Sequence, residues 1–237
     1  MIPVRSHSRG FTLLETVIAI GVLAVLLSAF LAVFGPATTG IRRTISSQEA
    51  DRLTSALVSE LSTRREGTQT TDYTSGFDKG FNWIKDASDS GKTIFVYQYR
   101  AKPSGSLRSD GSMEPYASTD GVAGKDYILQ PMVRQRSDSM LADDLAALEG
   151  RVFAVEPTQL IFDKGGALKT GTAGTIADPE SGSEVSDSAS YSASVIAFSA
   201  EFFEVPSTAA AFLKTGGAFD LKKLKNPLFT RNLAVNR

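Results

Sequence analysis

Arg9-Gly10-Phe11-Thr12-Leu13-Leu14-Glu15, together with the apolar run that follows it, decides how the rest of this chain is read. No charged side chain occurs from Thr16 to Ile41. Within Val17 to Phe34 only Gly21 and Ser28 fall outside the strongly apolar types. At a helical rise of about 1.5 Å per residue, roughly 20 such residues cross the hydrocarbon core of a bilayer. The run is therefore read as a transmembrane helix. A carboxylate at its start, Glu15, is costly in lipid, and intramembrane acids are functional candidates for that reason. The bland alternative is an acid at the edge of the span that reaches the headgroups.

The residues upstream favour a special role. A short basic leader (Arg5, His7, Arg9) ends in Gly10, and Phe11 follows at once. This order of leader, Gly-Phe junction, Thr-Leu-Leu-Glu and apolar span resembles the signal of type IV pilins and type II secretion pseudopilins. The resemblance covers Arg9 to about Phe34 only. It implies that a membrane-embedded prepilin peptidase cuts between Gly10 and Phe11 and methylates the new amine of Phe11. It also implies that Glu15, fifth in the processed chain, meets the amine of a neighbouring subunit in a filament. At an effective dielectric near 20, unit charges about 4 Å apart attract by roughly 4 kcal/mol. Removing one partner leaves an uncompensated buried charge.

The domain plan that follows is a leader at 1–10, an assembly helix at 11–35, its amphipathic continuation at 36–66 and a β-rich globular domain at 67–237. Gly35-Pro36 is a helix-kink candidate, because proline removes a backbone donor and crowds the preceding turn. Beyond it Ile41, Ile45, Leu53, Ala56, Leu57 and Leu61 form an interrupted apolar stripe for packing on a sheet. The expected fold class is α+β: a long N-terminal helix against an antiparallel sheet of four to six strands.

Further along, Thr68 to Gly91 reads as a loop-rich connection anchored by Tyr73, Phe77, Phe81 and Trp83. Thr93 to Tyr99 is the best strand, β-branched and aromatic throughout. Tyr127 to Arg134 is a second strand that Pro131 assigns to an edge or bulge. Ser137 or Asp138 would cap a short helix with Leu141, Leu145 and Leu148 on one face, ending at Gly150. Arg151–Val155 and Thr158–Phe162 read as two short strands around Glu156-Pro157. Residues 164–190 read as a long exposed loop, Ser194 to Val205 as a long alternating strand, and Leu228 to Val235 as the last one.

The chain has 237 residues, a net charge of −1, one histidine and no cysteine. That charge makes no electrostatic case for nucleic acid. His7 lies in the leader, so the processed chain has neither His nor Cys for a catalytic triad, a Cys-His pair or a zinc site. No catalytic residue and no cofactor is expected. Gly91-Lys92-Thr93 echoes a phosphate loop, but Asp86 stands where its first glycine belongs and a strand follows it. Asp143 and Asp144 read as a solvated helix face. Asp178, Glu180, Glu184 and Asp187 form a weak calcium candidate of oxygen ligands on a loop. Lys222, Lys223 and Lys225 read as solvated surface.

The function expected is structural: a minor pilin or pseudopilin whose partners are prepilin peptidase, other such subunits and inner-membrane lipid. Its N-terminus would be cytoplasmic, from the basic leader, and its globular domain periplasmic. The alternative is a membrane-anchored periplasmic binding or enzymatic domain that uses the same signal as an anchor alone.

Overall fold

A computed structural model describes residues 12–65, 72–163 and 165–237. They form two compact bodies, one ending at Ile45 and the other comprising Ser46–Arg237. In the first, helix α1 (Leu13–Ser62) begins with 22 residues, Leu13–Phe34, whose side chains are all exposed and almost all apolar. The helix has no polar face there, as a span surrounded by lipid requires. The helix continues through positions 35 and 36.

In the second body the last turns of α1 are ordinary core helix. Leu53, Leu57 and Leu61, spaced four apart, are buried. They meet α2 (Gly76–Lys85), which corrects the loop-rich reading of that region. Ser75 caps α2 by accepting the Asp78 N–H at 3.1 Å, and Phe77, Phe81 and Ile84 bury one face. Gly76 and Gly80 masked this period in the sequence, and packing explains both. A Cβ at Gly76 would overlap the Ser62 carbonyl, and one at Gly80 would come within 2.9 Å of the Leu61 carbonyl oxygen and 2.8 Å of Val235 Cγ1.

The sheet is antiparallel throughout, in the order β2 (Ile128–Gln135), β1 (Ile94–Ala101), β3 (Leu148–Phe162), β5 (Val195–Glu204), β6 (Phe229–Asn236), with β4 (Leu168–Thr170) on β3. This is the α+β architecture expected. Both faces of the sheet are covered. Ile94, Val96, Phe153, Val155, Phe198 and Phe202 face α1 and α2. Phe95, Tyr97, Tyr99, Ala154 and Phe203 face the opposite core, which is closed by α3 (Leu141–Ala146) and the segment carrying α4 (Ala210–Leu213) and Phe219. Burial on both sides explains why β1 is apolar at nearly every position.

Three other readings change. Arg151–Val155 and Thr158–Phe162 belong to one strand, because Pro157 lies beyond the end of the β1 ladder at Ile94↔Val155. Its missing N–H therefore leaves no β1 carbonyl unpaired. The helix after Asp138 is shorter than expected: it runs Leu141–Ala146, and Leu148 and Gly150 already belong to β3. The loop from 165 onward carries β4 and buries Ile176 and Asp178. Pro131 does lie on an edge strand, opposite Gln98.

Arg136 ties the C-terminal segment down. Its guanidinium donates to the carbonyls of Ser90 at 3.0 Å, Leu213 at 2.9 Å, Lys214 at 3.1 Å and Gly217 at 2.8 Å. Burial pulls its pKa down, with Asp220 opposing.

In an open helix Gly→Ala gains about 1 kcal/mol. At Gly80 the added methyl has no room, so Gly80→Ala is expected to destabilise the domain by about 1–3 kcal/mol. Chemical unfolding followed through Trp83, the single tryptophan, measures the sign. A stabilised variant would contradict the close α1–α2 packing.

Candidate assembly site and the polar core of the domain

Glu15 sits in the first turn of α1 and is engaged with Thr12. The Thr12 N–H donates to Glu15 Oε2 at 2.8 Å, the Thr12 hydroxyl donates to the same oxygen at 2.9 Å, and the Glu15 N–H donates to Thr12 Oγ1 at 3.2 Å. This reciprocal arrangement is a capping box, and Thr-x-x-Glu before an apolar run is its sequence signature. Helix-start donors that lipid cannot satisfy are thus met within the chain. Gly10 and Phe11, the junction residues, lie outside the described residues, as does the rest of 1–11.

The second body contains two buried charge networks that the sequence reading did not find. At the α1–α2 junction the fully buried Lys79 donates to Glu60 Oε1 at 2.5 Å and to the Thr63 carbonyl at 2.8 Å. Arg65 holds the other Glu60 oxygen at 2.6 Å, and the ammonium lies 4.7 Å from the centre of the Trp83 ring. Burial lowers the Lys79 pKa, with Glu60 opposing.

The larger network centres on Asp144, which is fully buried and not on a solvated face. Tyr97 Oη donates to Asp144 Oδ2 at 2.7 Å, Arg134 Nε to the same oxygen at 2.6 Å, and Arg108 Nη2 to Oδ1 at 2.6 Å. Arg134 also reaches Asp110 at 2.8 Å and Asp138 at 2.7 Å. The adjacent Asp143 is exposed, as the sequence suggested. Adjacent helical residues point in different directions, so only one of the two could face the sheet.

The chemistry of this cluster is structural. Asp144 has both oxygens committed to cationic or phenolic donors, and burial, then Asp144 itself, pushes the Tyr97 pKa well up. A general base must reach a substrate proton, and this carboxylate has no route to one. What the cluster does is join β1, β2, α3 and the 102–127 loop.

The four acids of the calcium candidate are not gathered. Asp178 accepts the N–H groups of Glu180, Ser181 and Ser192 at 3.1, 2.9 and 2.7 Å, which hold its pKa well below the ordinary range. Asp187 accepts from Ser190. Among the described residues no group of three or more His, Cys, Asp or Glu is placed to hold a metal ion. The Gly91-Lys92-Thr93 turn holds Asp86 through Lys92 Nζ at 2.7 Å and runs into β1.

An apolar helix with an N-terminal acid, joined in sequence to an α+β domain, defines a membrane-anchored class of protein. Residues 5–31 match the model of the prokaryotic N-terminal methylation motif, which is the prepilin-type signal of type IV pilins and pseudopilins. The chain carries that signal on a pilin-like architecture. Comparisons with curated proteins and with solved structures gave no match.

Asp144→Asn takes one carboxylate from the Arg108 and Arg134 guanidinium groups, of which Arg134 keeps Asp110 and Asp138, and is expected to cost about 1.5–3 kcal/mol. Asp143→Asn should stay within about 0.5 kcal/mol. Equal effects in paired denaturation curves would refute the assignment. Alongside Asp178, Asp110 is one source of acid sensitivity. Burial raises its pKa, but bonds from Ser112 and Arg134 outweigh it and lower the value from 3.8 to about 2. The folded state thus binds this proton more weakly than the unfolded one. Its stabilisation, about 2 kcal/mol, is complete above the unfolded value and is lost as pH falls toward 2. Asp110→Asn should flatten the stability–pH curve between pH 4 and about 2.

Proposed function

We propose that the chain is a structural subunit, a minor pilin or pseudopilin, exported as a prepilin and cut between Gly10 and Phe11. The Phe11 amine is then methylated, and the apolar helix serves first as a membrane anchor and then as the assembly surface. The observation that carries this reading is the ordered signal at 5–31 leading into a helix whose apolar side chains are exposed on every side. Such a surface needs lipid or other helices around it.

Glu15 has a specific part in assembly. In the isolated helix it caps its own first turn through Thr12. In a bundle it neutralises the amine of a neighbour and sets the register between subunits, with Gly35 and Pro36 letting the helix bend. The leader stays on the cytoplasmic side, and the globular domain faces the periplasm or stands in a filament. Two machines fit the signal equally, a type IV pilus and a type II secretion pseudopilus.

Intact mass of the protein recovered from membranes is the direct test. A start at Phe11 with one added methyl is expected, and the leader should persist when prepilin peptidase is inactive. A working protein that keeps its leader would overturn the proposal. Glu15→Ala should enter the membrane normally yet be lost from filaments; normal incorporation would refute the charge-pairing role.

A further inference from the structure

On the face of the sheet that carries Phe95, Tyr97 and Phe203, the apolar core ends at the Ala154–Phe203 layer. The next layer is acidic: Glu156 of β3 stands directly opposite Glu201 of β5. In the same register the Val205 N–H donates to the Val152 carbonyl at 3.2 Å. Ladder alternation therefore makes the two glutamates a hydrogen-bonded pair, with Cα atoms about 5.5 Å apart and both side chains on one face. Like charges placed this way repel.

Both acids are half-buried, and neither carboxylate accepts a hydrogen bond or lies within ion-pair distance of a cation. That sets them apart among the described residues. Glu49, Asp126, Asp138, Asp163 and Asp220, also half-buried, each accept a backbone N–H. Burial, and then Glu201, push the Glu156 carboxyl up, and Lys222 opposes them through its charge without forming an ion pair. Ser199, two residues from Glu201 on the same face, is 6% exposed and its hydroxyl makes no hydrogen bond. Thr158 lies beside it on β3, and Thr230 and Asn232 continue this oxygen-bearing patch on β6.

Two half-buried carboxylates without partners and a buried hydroxyl without one, on adjacent strands, specify a guest that is positively charged and bound by hard oxygen donors. We infer that Glu156, Glu201 and Ser199 hold a divalent cation of the calcium kind on this face of the sheet. Two positive charges cancel both carboxylates, which a monovalent ion or a single basic side chain would not. Oxygens reaching from neighbouring strands suit the bonds of about 2.3–2.6 Å and the flexible geometry of calcium better than the strict octahedron of magnesium. Water completes the coordination. With two charged ligands and one neutral one the site is weak, with a Kd on the order of 1 mM, as in extracellular calcium modules. Binding turns a repulsion between β3 and β5 into a cross-link. The site is separate from the membrane signal, so it stands or falls independently of the processing of residues 1–10.

The test uses the full chain in detergent micelles, treated with chelator, titrated with calcium chloride and unfolded in urea with Trp83 as the reporter. At about 10 mM calcium the unfolding constant is expected to fall about tenfold. Glu201→Gln removes a ligand and the repulsion together, so without calcium it should be at least as stable as the parent, and it should lose the calcium response. Ser199→Ala should leave the calcium-free curve unchanged and weaken binding by about threefold or more. Glu180→Gln with Glu184→Gln, on the exposed loop, should respond as the parent does. No response of the parent at about 10 mM calcium, an equal response to sodium chloride at matched ionic strength (screening only), a response that survives Glu201→Gln, or one lost with the two loop acids would each overturn the inference.

Discussion

A lysine without solvent lies where two helices of the domain meet. Lys79 is surrounded by Glu60, the Thr63 carbonyl and the Trp83 ring, and this fixes α2 across the last turn of α1. Stripping an ammonium of water costs several kcal/mol, so its position is tolerated only with partners of good geometry. Once it is in place, Gly76 and Gly80 lie where α2 can approach the Ser62 and Leu61 carbonyls. Leu53, Leu57, Leu61, Phe77 and Phe81 then close over one face of the sheet.

The opposite face follows a different rule. There the apolar core is crossed by Tyr97, Arg134 and Asp144, and the Arg134 guanidinium is shared among three carboxylates. Coupling of this kind ties β1, β2, α3 and the 102–127 loop to one another. Arg136, two residues on, gives its donors to backbone carbonyls, with Asp220 acting on it only through its charge. Together the two arginines convert long irregular stretches into fixed surface. That suits a domain presented by a membrane helix, whose loops are what a partner meets.

The anchor and the domain obey opposite solvent rules. From Leu13 to Phe34 the helix exposes apolar side chains in every direction, whereas the final turns of α1 bury one stripe and expose the rest. One continuous helical element thus carries a sequence written for lipid and then one written for a protein core. Glu15 is the exception within the first, and its capping box shows how the acid is accommodated within its own helix.

The membrane span, the signal and the strands at β1, β2, β5 and β6 were legible in the sequence, because each depends on a local pattern: uninterrupted apolarity, a fixed order of residues, β-branched and aromatic runs, a proline on an edge. The Thr12–Glu15 box was equally local and could have been read from its spacing. What the sequence could not supply was pairing between distant residues. Asp144 looks like Asp143 until Tyr97, Arg108 and Arg134 arrive from 47, 36 and 10 positions away. The glycines of α2 look like helix breakers until the neighbouring helix is seen to need the room. Pro157 looks like a strand end until the β1 ladder is found to stop first. Local patterns determined which helix is apolar on every side and which segments are strands; burial, which is a property of neighbours far apart in sequence, decided which charges are inside.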